Sequence, residues 1–548
     1  MRYAIRGPHA GLSRRSHAGL TLAAAVALVT VTACSNGSSD GPVGPTSGAG
    51  TPSPVTSAPA TTPPPPSPTP TRTYPLSTAP LTVPAVRAHE AARGPGWRPA
   101  PEAGVVVAAG SEGLADEGRL LAGELKIAYR GAVAARAGDV ELALGGTGAP
   151  ESYTLTTREN RVRITGPDQA GVFYGTRTLK QSVNGSGAMP EGTVTDAPAK
   201  PQRGLNVDIA RKFFTAGWIE ARLREMADLK LNQFGLHFSD DQGFRIESDT
   251  HPEIVSAQHL TKAEVRRILA LAQTLHITVV PEIDSPGHLG AVLRAHPDLQ
   301  LRNVNGVPRQ AAIDISKPAS AELIDELLRE YAGLFPGGWF HVGADEYQAL
   351  TVSSPAASYP QLATAAREKY GPQAGVQDLA EGWLNDRAAV VRGTGKVAKA
   401  WNDGFFSGGV VSADQRIEVD YWTGKEIGAR PPIEYLQEGR KVVNLNDEFL
   451  YYVLGEPNEF TYPTGRRIYE QWTPRVLRGT TPVPARYDPQ ILGGRFAVWC
   501  DLSQAQTATQ VADGIRMPLT ATSQKLWDAR TPTMSWDQFR ALAVNVRG

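Results

Sequence analysis

The chain has 548 residues, and its 55 Lys and Arg residues are balanced by 55 Asp and Glu residues. That length allows more than one domain with a sizeable core, and a net charge of zero argues against the basic patch of a nucleic-acid-binding protein. Cys34 and Cys500 stand far apart and are too few for a disulfide framework or a four-cysteine zinc site.

Residues 1–34 read as an export signal. Arg2, Arg6, Arg14 and Arg15 precede the apolar run AGLTLAAAVALVTVTAC. The run is short for a membrane span and closes on Val31-Thr32-Ala33-Cys34, which resembles a bacterial lipobox. The resemblance implies lipidation of Cys34 and an extracytoplasmic protein anchored to the bacterial cell membrane. Ordinary signal cleavage beside an incidental cysteine is the alternative. Residues 35–75, with TPSPVTSAPATTPPPPSPTPT, cannot bury a core and read as a solvated spacer.

Residues 76–199 predict a small domain of mixed α/β character. Helical periodicity runs through residues 114–129. DVELALG and ESYTLTTRENRVRITG predict strands, the latter a pair joined by a turn at Glu159-Asn160, and DQAGVFYGTRTLKQSV predicts a helix. No acids or histidines cluster here, so the region reads as structural.

From Arg203 onward, short apolar segments alternate with amphipathic ones. LNVDIA, FGLHFS, TVVPEID, WFHVGA, VAKAWN, IEVDYW, KVVNLN and RFAVWCD predict strands. Among the helices between them, TKAEVRRILALAQTLH opens on a capping box of Thr261 and Glu264, and SAELIDELLREYAGLF takes Ser320 as its cap. Eight strands alternating with helices predict a (β/α)8 barrel over residues 200–548.

Barrel enzymes place their chemistry at the C-terminal ends of the strands. Here those ends carry Asp208 and Arg211, His237 with Asp240 and Asp241, Glu282 with Asp284 and His288, and Asp345 with Glu346. Further on come Trp401-Asn402-Asp403, Asp420-Tyr421-Trp422, Asn446-Asp447 with Tyr451-Tyr452, and Trp499 with Asp501. Aromatic rings that stack on sugar C–H faces, beside carboxylates that bind hydroxyls, describe a carbohydrate pocket. His237 and Asp240 could share a metal, but the surrounding pattern suits a packed strand end better. Retaining glycosidases set two carboxyls about 5 Å apart across the scissile bond. Adjacent acids such as Asp345 and Glu346 are poorly placed for that. The pair makes sense if one acid meets the scissile oxygen and the other positions a nucleophile supplied by the substrate, as in substrate-assisted catalysis.

RGLNVDIARKFF, HFSDDQGFRIES, PEIDSPGH, FHVGADEY, AWNDGF and DYW together resemble, in order, the sequence blocks of glycoside hydrolase family 20, the β-N-acetylhexosaminidases and lacto-N-biosidases. The resemblance implies the following roles. Glu346 is the general acid/base and Asp345 orients the 2-acetamido group. Arg211 grips ring hydroxyls, and Asp240, His288 and Asp284 form the polar support. Trp401, Trp422 and Trp499 wall the pocket, and Tyr452 bonds the acetamido oxygen. It also implies an oligosaccharide or glycoconjugate containing N-acetylhexosamine as the partner, with no cofactor or catalytic metal. Like charge and burial are expected to raise the Glu346 pKa, with Asp345 staying anionic.

The sequence departs from the family pattern at several places. Ala344 stands where many members have glycine. If Tyr452 matches the Tyr of the family's Tyr-Leu-Asp, then Leu454 leaves its acid missing, with Asp447 as a substitute. Asp501 replaces a glutamate after Trp499. These departures leave open release of a disaccharide, in the manner of a lacto-N-biosidase, and a catalytically silent glycan-binding lipoprotein.

Overall fold

The computed structural model describes residues 73–547, together with residues 48, 50 and 51. The signal, Cys34 and most of the spacer lie outside the described residues. The chain divides into Met1–Pro70 and a compact unit Thr71–Gly548. Among the described residues no helix is long and apolar enough to cross a membrane.

The first part of the compact unit is a mixed seven-stranded sheet. Its order is Ala88–Ala91, Gly192–Asp196, Tyr153–Arg158, Arg161–Gly166, Val140–Leu144, Gly104–Val107 and Ala128–Gly131. Helices Ala115–Leu125 and Gln169–Ser186 pack against it. The expected hairpin turn is present, with Glu159 and Asn160 both at positive φ, as two-residue hairpin loops require. The helix expected over residues 114–129 is shorter. It ends at Leu125 because Lys126 turns left-handed at φ 56°, and the chain enters the Ala128–Gly131 strand.

The second part is the expected barrel of eight parallel strands: β1 Gln202–Asp208, β2 Gln233–His237, β3 Thr278–Ser285, β4 Trp339–Gly343, β5 Val397–Trp401, β6 Glu418–Tyr421, β7 Val442–Asn444 and β8 Ile491–Trp499. β8 pairs with both β1 and β7 and closes it. The seventh stave is split. β7 lies along Ile491–Gly494, and a separate short strand, Tyr451–Val453, continues it along Ala497–Trp499. That second segment was not expected from the sequence.

Helix starts follow capping chemistry. Thr261 and Glu264 form the predicted box. Ser320 is not a cap: the helix is Pro318–Leu334, opened by proline after Lys317, and the Ser320 hydroxyl instead donates to the Asp314 carbonyl.

The barrel interior departs from the apolar layering usual for this architecture. Lys399, Asp420, Arg495, His341, Glu282 and His237 are all essentially buried within it. Lys399 Nζ lies 2.6 Å from Glu418 and 3.4 Å from Asp420, Arg495 pairs with Asp420, and His341 lies 3.5 Å from Asp420 and 3.6 Å from Glu282. Buried charges need partners, and this column supplies them up to the mouth.

The two parts meet at Arg203 on β1. Its buried guanidinium reaches Glu151, in the turn before the small sheet's strand Tyr153–Arg158, at 2.8 and 3.1 Å, and Tyr174 at 3.2 Å. Burial opposes ionisation of Glu151, but Arg203 outweighs it and holds the carboxyl below its usual range. Glu151→Ala is therefore expected to destabilise the unit by about 3 kcal/mol, because Arg203 is left buried and unpaired. Chemical denaturation measures this. The deficit shrinks on acidification, since a depressed carboxyl contributes stability above its unfolded pKa and loses it as pH falls.

Candidate active site

A cavity of about 670 Å³ opens at the C-terminal end of the barrel. Arg211, His288, Asp345, Glu346, Trp401, Trp422, Trp499 and Asp501, all expected from the sequence, line it. Asp240 and Asp284 lie buried beneath.

Asp240 organises the floor. Its Oδ2 lies 2.8 Å from both Arg211 and His237, and its Oδ1 lies 3.3 Å from His288 Nδ1. Arg211 is also held by Asp208 at 3.1 Å. Burial opposes the charge on each imidazole, but their carboxylates win. Glu282 and Asp240 raise His237 to about 10, and Asp240 and Asp345 raise His288 well above its ordinary value. Both histidines are thus cationic at neutral pH. His237 Nδ1 lies 3.0 Å from Glu282, which also accepts the Trp401 indole N–H at 2.8 Å. Burial would raise Glu282, but His237 and His341 hold it at about 2.

The acid pair follows β4 in an unusual backbone. Gly343, Ala344 and Glu346 have φ of 72°, 82° and 47°, a region that L side chains rarely adopt. At Gly343 a Cβ would run into the Asp284 carboxylate, so glycine is required there. At Ala344 the methyl is tolerated because Gly404 opposite has no side chain to meet it. This twisted path sends the two neighbours to different depths. The Asp345 side chain is 15% exposed and that of Glu346 is 39% exposed. His288 Nε2 stands between them, 3.6 Å from Asp345 and 3.3 Å from Glu346.

The protonation order corrects the expectation for Glu346. Burial would raise it, but the hydrogen bond and charge of His288, with Arg211 behind, hold it below its usual value. Asp345 is the member that rises, through burial and the Glu346 charge, against His288 and Asp284. Asp284 rises further, driven by burial and then by Asp345. Of these carboxyls Asp284 departs furthest from its usual range. The sequence reading weighed the neighbouring acid but had no means of placing the His288 cation.

Tyr452 is a second correction. Its hydroxyl donates to Gln506 at 3.0 Å and its ring stacks on Tyr462, away from the cavity. Tyr451 takes the pocket position instead. Its ring lies parallel to Trp422 at 5.6 Å and 5.8 Å from Trp499. Side chains alternate along a strand, so Val453 shares the face of Tyr451 and occupies the place previously given to Leu454. The wall carries valine where the family pattern has an acid. Asp447 lies nearby, bound by Thr423 at 3.2 Å and Lys425 at 3.1 Å.

Sequence reasoning placed Asp403 at the mouth without giving it a task. The structure gives it two: Oδ2 accepts the Glu346 backbone N–H at 3.0 Å, and Oδ1 accepts the Trp422 indole N–H at 2.9 Å. One carboxylate thereby fixes both the acid's backbone and an aromatic wall.

Comparison with known proteins agrees with this geometry. Residues 201–529 match the model for glycosyl hydrolase family 20, catalytic domain, and residues 79–197 match that for glycosyl hydrolase family 20, domain 2. The chain belongs to glycosyl hydrolase family 20. A lacto-N-biosidase of Bifidobacterium bifidum is 29% identical over 392 residues, which cover 71% of this chain but only 34% of that protein. A β-N-acetylhexosaminidase of Cellulomonas fimi is 26% identical over 428 residues, covering 71% of this chain and 76% of its own. Among solved structures, the exo-β-N-acetylglucosaminidase from Vibrio harveyi in complex with N-acetylglucosamine has a TM-score of 0.70 at 21% identity. The match covers 88% of this chain and 80% of that one. The β-N-acetylhexosaminidase from Streptomyces coelicolor has a TM-score of 0.68 at 23% identity, covering 86% and 96%. At these identities the structural likeness shows the fold.

The two tyrosines make a direct test. Tyr451→Phe is expected to lower kcat/KM on the cleaved glycoside by about 100- to 1000-fold, the scale of a lost transition-state hydrogen bond. Tyr452→Phe is expected to stay within about twofold of wild type, because it alters only an outer contact. Steady-state kinetics of the two variants side by side decides the register.

Proposed function

We propose that this chain is a retaining exo-glycosidase that hydrolyses terminal β-linked N-acetylhexosamine by substrate-assisted catalysis. The observation that carries the reading is the division of labour between adjacent acids. Glu346 opens to the cavity, while Asp345 lies deeper beside the aromatic walls, with His288 Nε2 between the two. A deep-set carboxylate at the cavity wall is placed to accept an N–H from a ligand, and an acetamido N–H is such a donor.

In the proposed reaction Glu346 gives its proton to the glycosidic oxygen as the bond to C1 breaks. The acetamido carbonyl oxygen attacks C1 from the other face, giving an oxazolinium ion and the free leaving group. Asp345 accepts the amide N–H and stabilises the developing positive charge. Glu346, now a carboxylate, takes a proton from water as that water attacks C1 and displaces the acetamido oxygen, which reopens the ring to the free amide and restores the configuration and the acid. Arg211 supplies fixed charge-assisted donors for ring hydroxyls, and the tryptophans exclude water.

A specific observation favours disaccharide release as a second reading. Val453 removes the acid that closes the pocket wall in the family pattern, and the cavity runs on past it to Asn458, Phe460 and Thr461. The bifidobacterial relative also carries the name lacto-N-biosidase.

Hydrolysis of 4-nitrophenyl N-acetyl-β-glucosaminide and of the matching lacto-N-bioside separates the two readings. Wild type is expected to cleave at least one, and Glu346→Gln and Asp345→Asn are expected to lose about 100-fold or more of kcat, as removal of a proton donor or charge stabiliser does. A protein inert on both, with the glycan still bound, points to a binding protein. The pH profile follows from the charges. Because His288 depresses Glu346, the alkaline limb of kcat/KM is expected in the acid range. The limb of kcat is expected at higher pH, since bound sugar strips water from the carboxyl. His288→Gln removes the depressing cation and is expected to move the kcat/KM limb upward.

The same proposal sets the protein outside the cytoplasm on a lipid anchor at Cys34, supported by the apolar run and small residues before that cysteine. Labelling with a radioactive fatty acid is expected in cells making the wild-type chain and absent with Cys34→Ala. Equal labelling of both would sink the anchor.

A further inference from the structure

Beyond the catalytic cavity, a second cluster of ligand-capable side chains joins two loops at the mouth of the barrel. His251 and Glu253 flank Pro252 in the loop after β2, and His296 follows the short helix Gly290–Ala295 after β3. Glu253 Oε1 lies 3.0 Å from His251 Nδ1 and 2.9 Å from His296 Nε2. All three atoms fall within 4.8 Å of one another, and the rings meet edge to face at 82°. On its other side His251 Nε2 lies 2.9 Å from Glu326, on helix Pro318–Leu334. None of the four residues lines the catalytic cavity.

The convergence singles this cluster out. Two imidazole nitrogens from two separate loops aim at one carboxylate oxygen, the arrangement that three ligands take around a single cation. The second nitrogen of His251 is turned to Glu326. That outer carboxylate is the usual partner of a metal-bound histidine, fixing its tautomer and ring direction.

We propose that His251, Glu253 and His296 form a structural site for one divalent ion of the zinc class, with Glu326 orienting His251. Two imidazoles and a carboxylate favour zinc over calcium or magnesium, which prefer oxygen ligands alone. Tetrahedral zinc with ligands at about 2.0–2.1 Å sets its donors about 3.3 Å apart. The N···O separations of 2.9 and 3.0 Å already approach that spacing. The Glu253 side chain is 43% exposed, leaving water access to a fourth position. The ion ties the loop after β2 to the segment that follows helix Gly290–Ala295, outside the catalytic cavity.

The test equilibrates untagged protein with zinc, removes excess by gel filtration and counts retained metal by mass spectrometry. Wild type is expected to keep one zinc per chain and to gain about 2–4 °C in thermal midpoint. Cobalt in its place is expected to give the visible absorption of a tetrahedral site. His296→Gln and Glu253→Gln, both at partly exposed positions, are expected to retain less than a tenth of an equivalent and to lose the thermal gain, with glycosidase turnover intact. Retention below a tenth of an equivalent by wild type overturns the proposal. So does equal retention by the variants, which would move the metal to the acids beneath the catalytic cavity.

Discussion

The site rests on one buried carboxylate. Asp240 sits among Arg211, His237 and His288, and the cationic state of the two histidines depends on it. Burial drives its own carboxyl upward, but Arg211 and His288 outweigh that and pull it well below the ordinary range. A charge this deep is retained only where its partners are fixed: Asp208 holds Arg211 and Glu282 holds His237, and Glu282 continues through His341 to Asp420 and Lys399. In this barrel, packing and catalysis draw on one network. His341 shows how finely it is divided: burial outweighs Glu282 there and drops the imidazole to about 3, so it stays neutral. His237, across Glu282 from it, stays cationic.

Above that floor, left-handed backbone resolves the puzzle of adjacent acids. A regular strand would send Asp345 and Glu346 to opposite faces. The turn through Gly343 and Ala344 delivers both to one cavity at unequal depth, with His288 between them. Strain of this kind persists only where the surroundings enforce it. Here Asp403 does so by binding the Glu346 amide, as Asp284 does by accepting the Ala344 N–H at 3.0 Å.

Much of this was legible in the sequence. Period-2 and period-3.6 patterns located the barrel strands, and the acids and aromatics at their ends located the mouth. What failed did so for identifiable reasons. Tyr451 and Tyr452 are chemically identical neighbours on a three-residue strand, and a slip of one residue exchanges wall and exterior. Ser320 has the chemistry of a cap, but Pro318 opens the helix sooner. The direction of the Glu346 shift turned on an imidazole 58 positions away in sequence, brought to 3.3 Å by the fold. The seven-stranded order of the small sheet depends on partners that no local pattern announces.

The divided seventh stave separates two duties that a continuous strand would have to combine. Val442–Asn444 meets the lower part of β8 and keeps the cylinder shut, while Tyr451–Val453 meets its upper part and lines the cavity. The six intervening residues uncouple the one from the other. That side of the cavity is therefore an exchangeable cartridge: side chains within residues 451–461 are open to recutting while the pairing of β7 with β8 that holds the cylinder remains untouched.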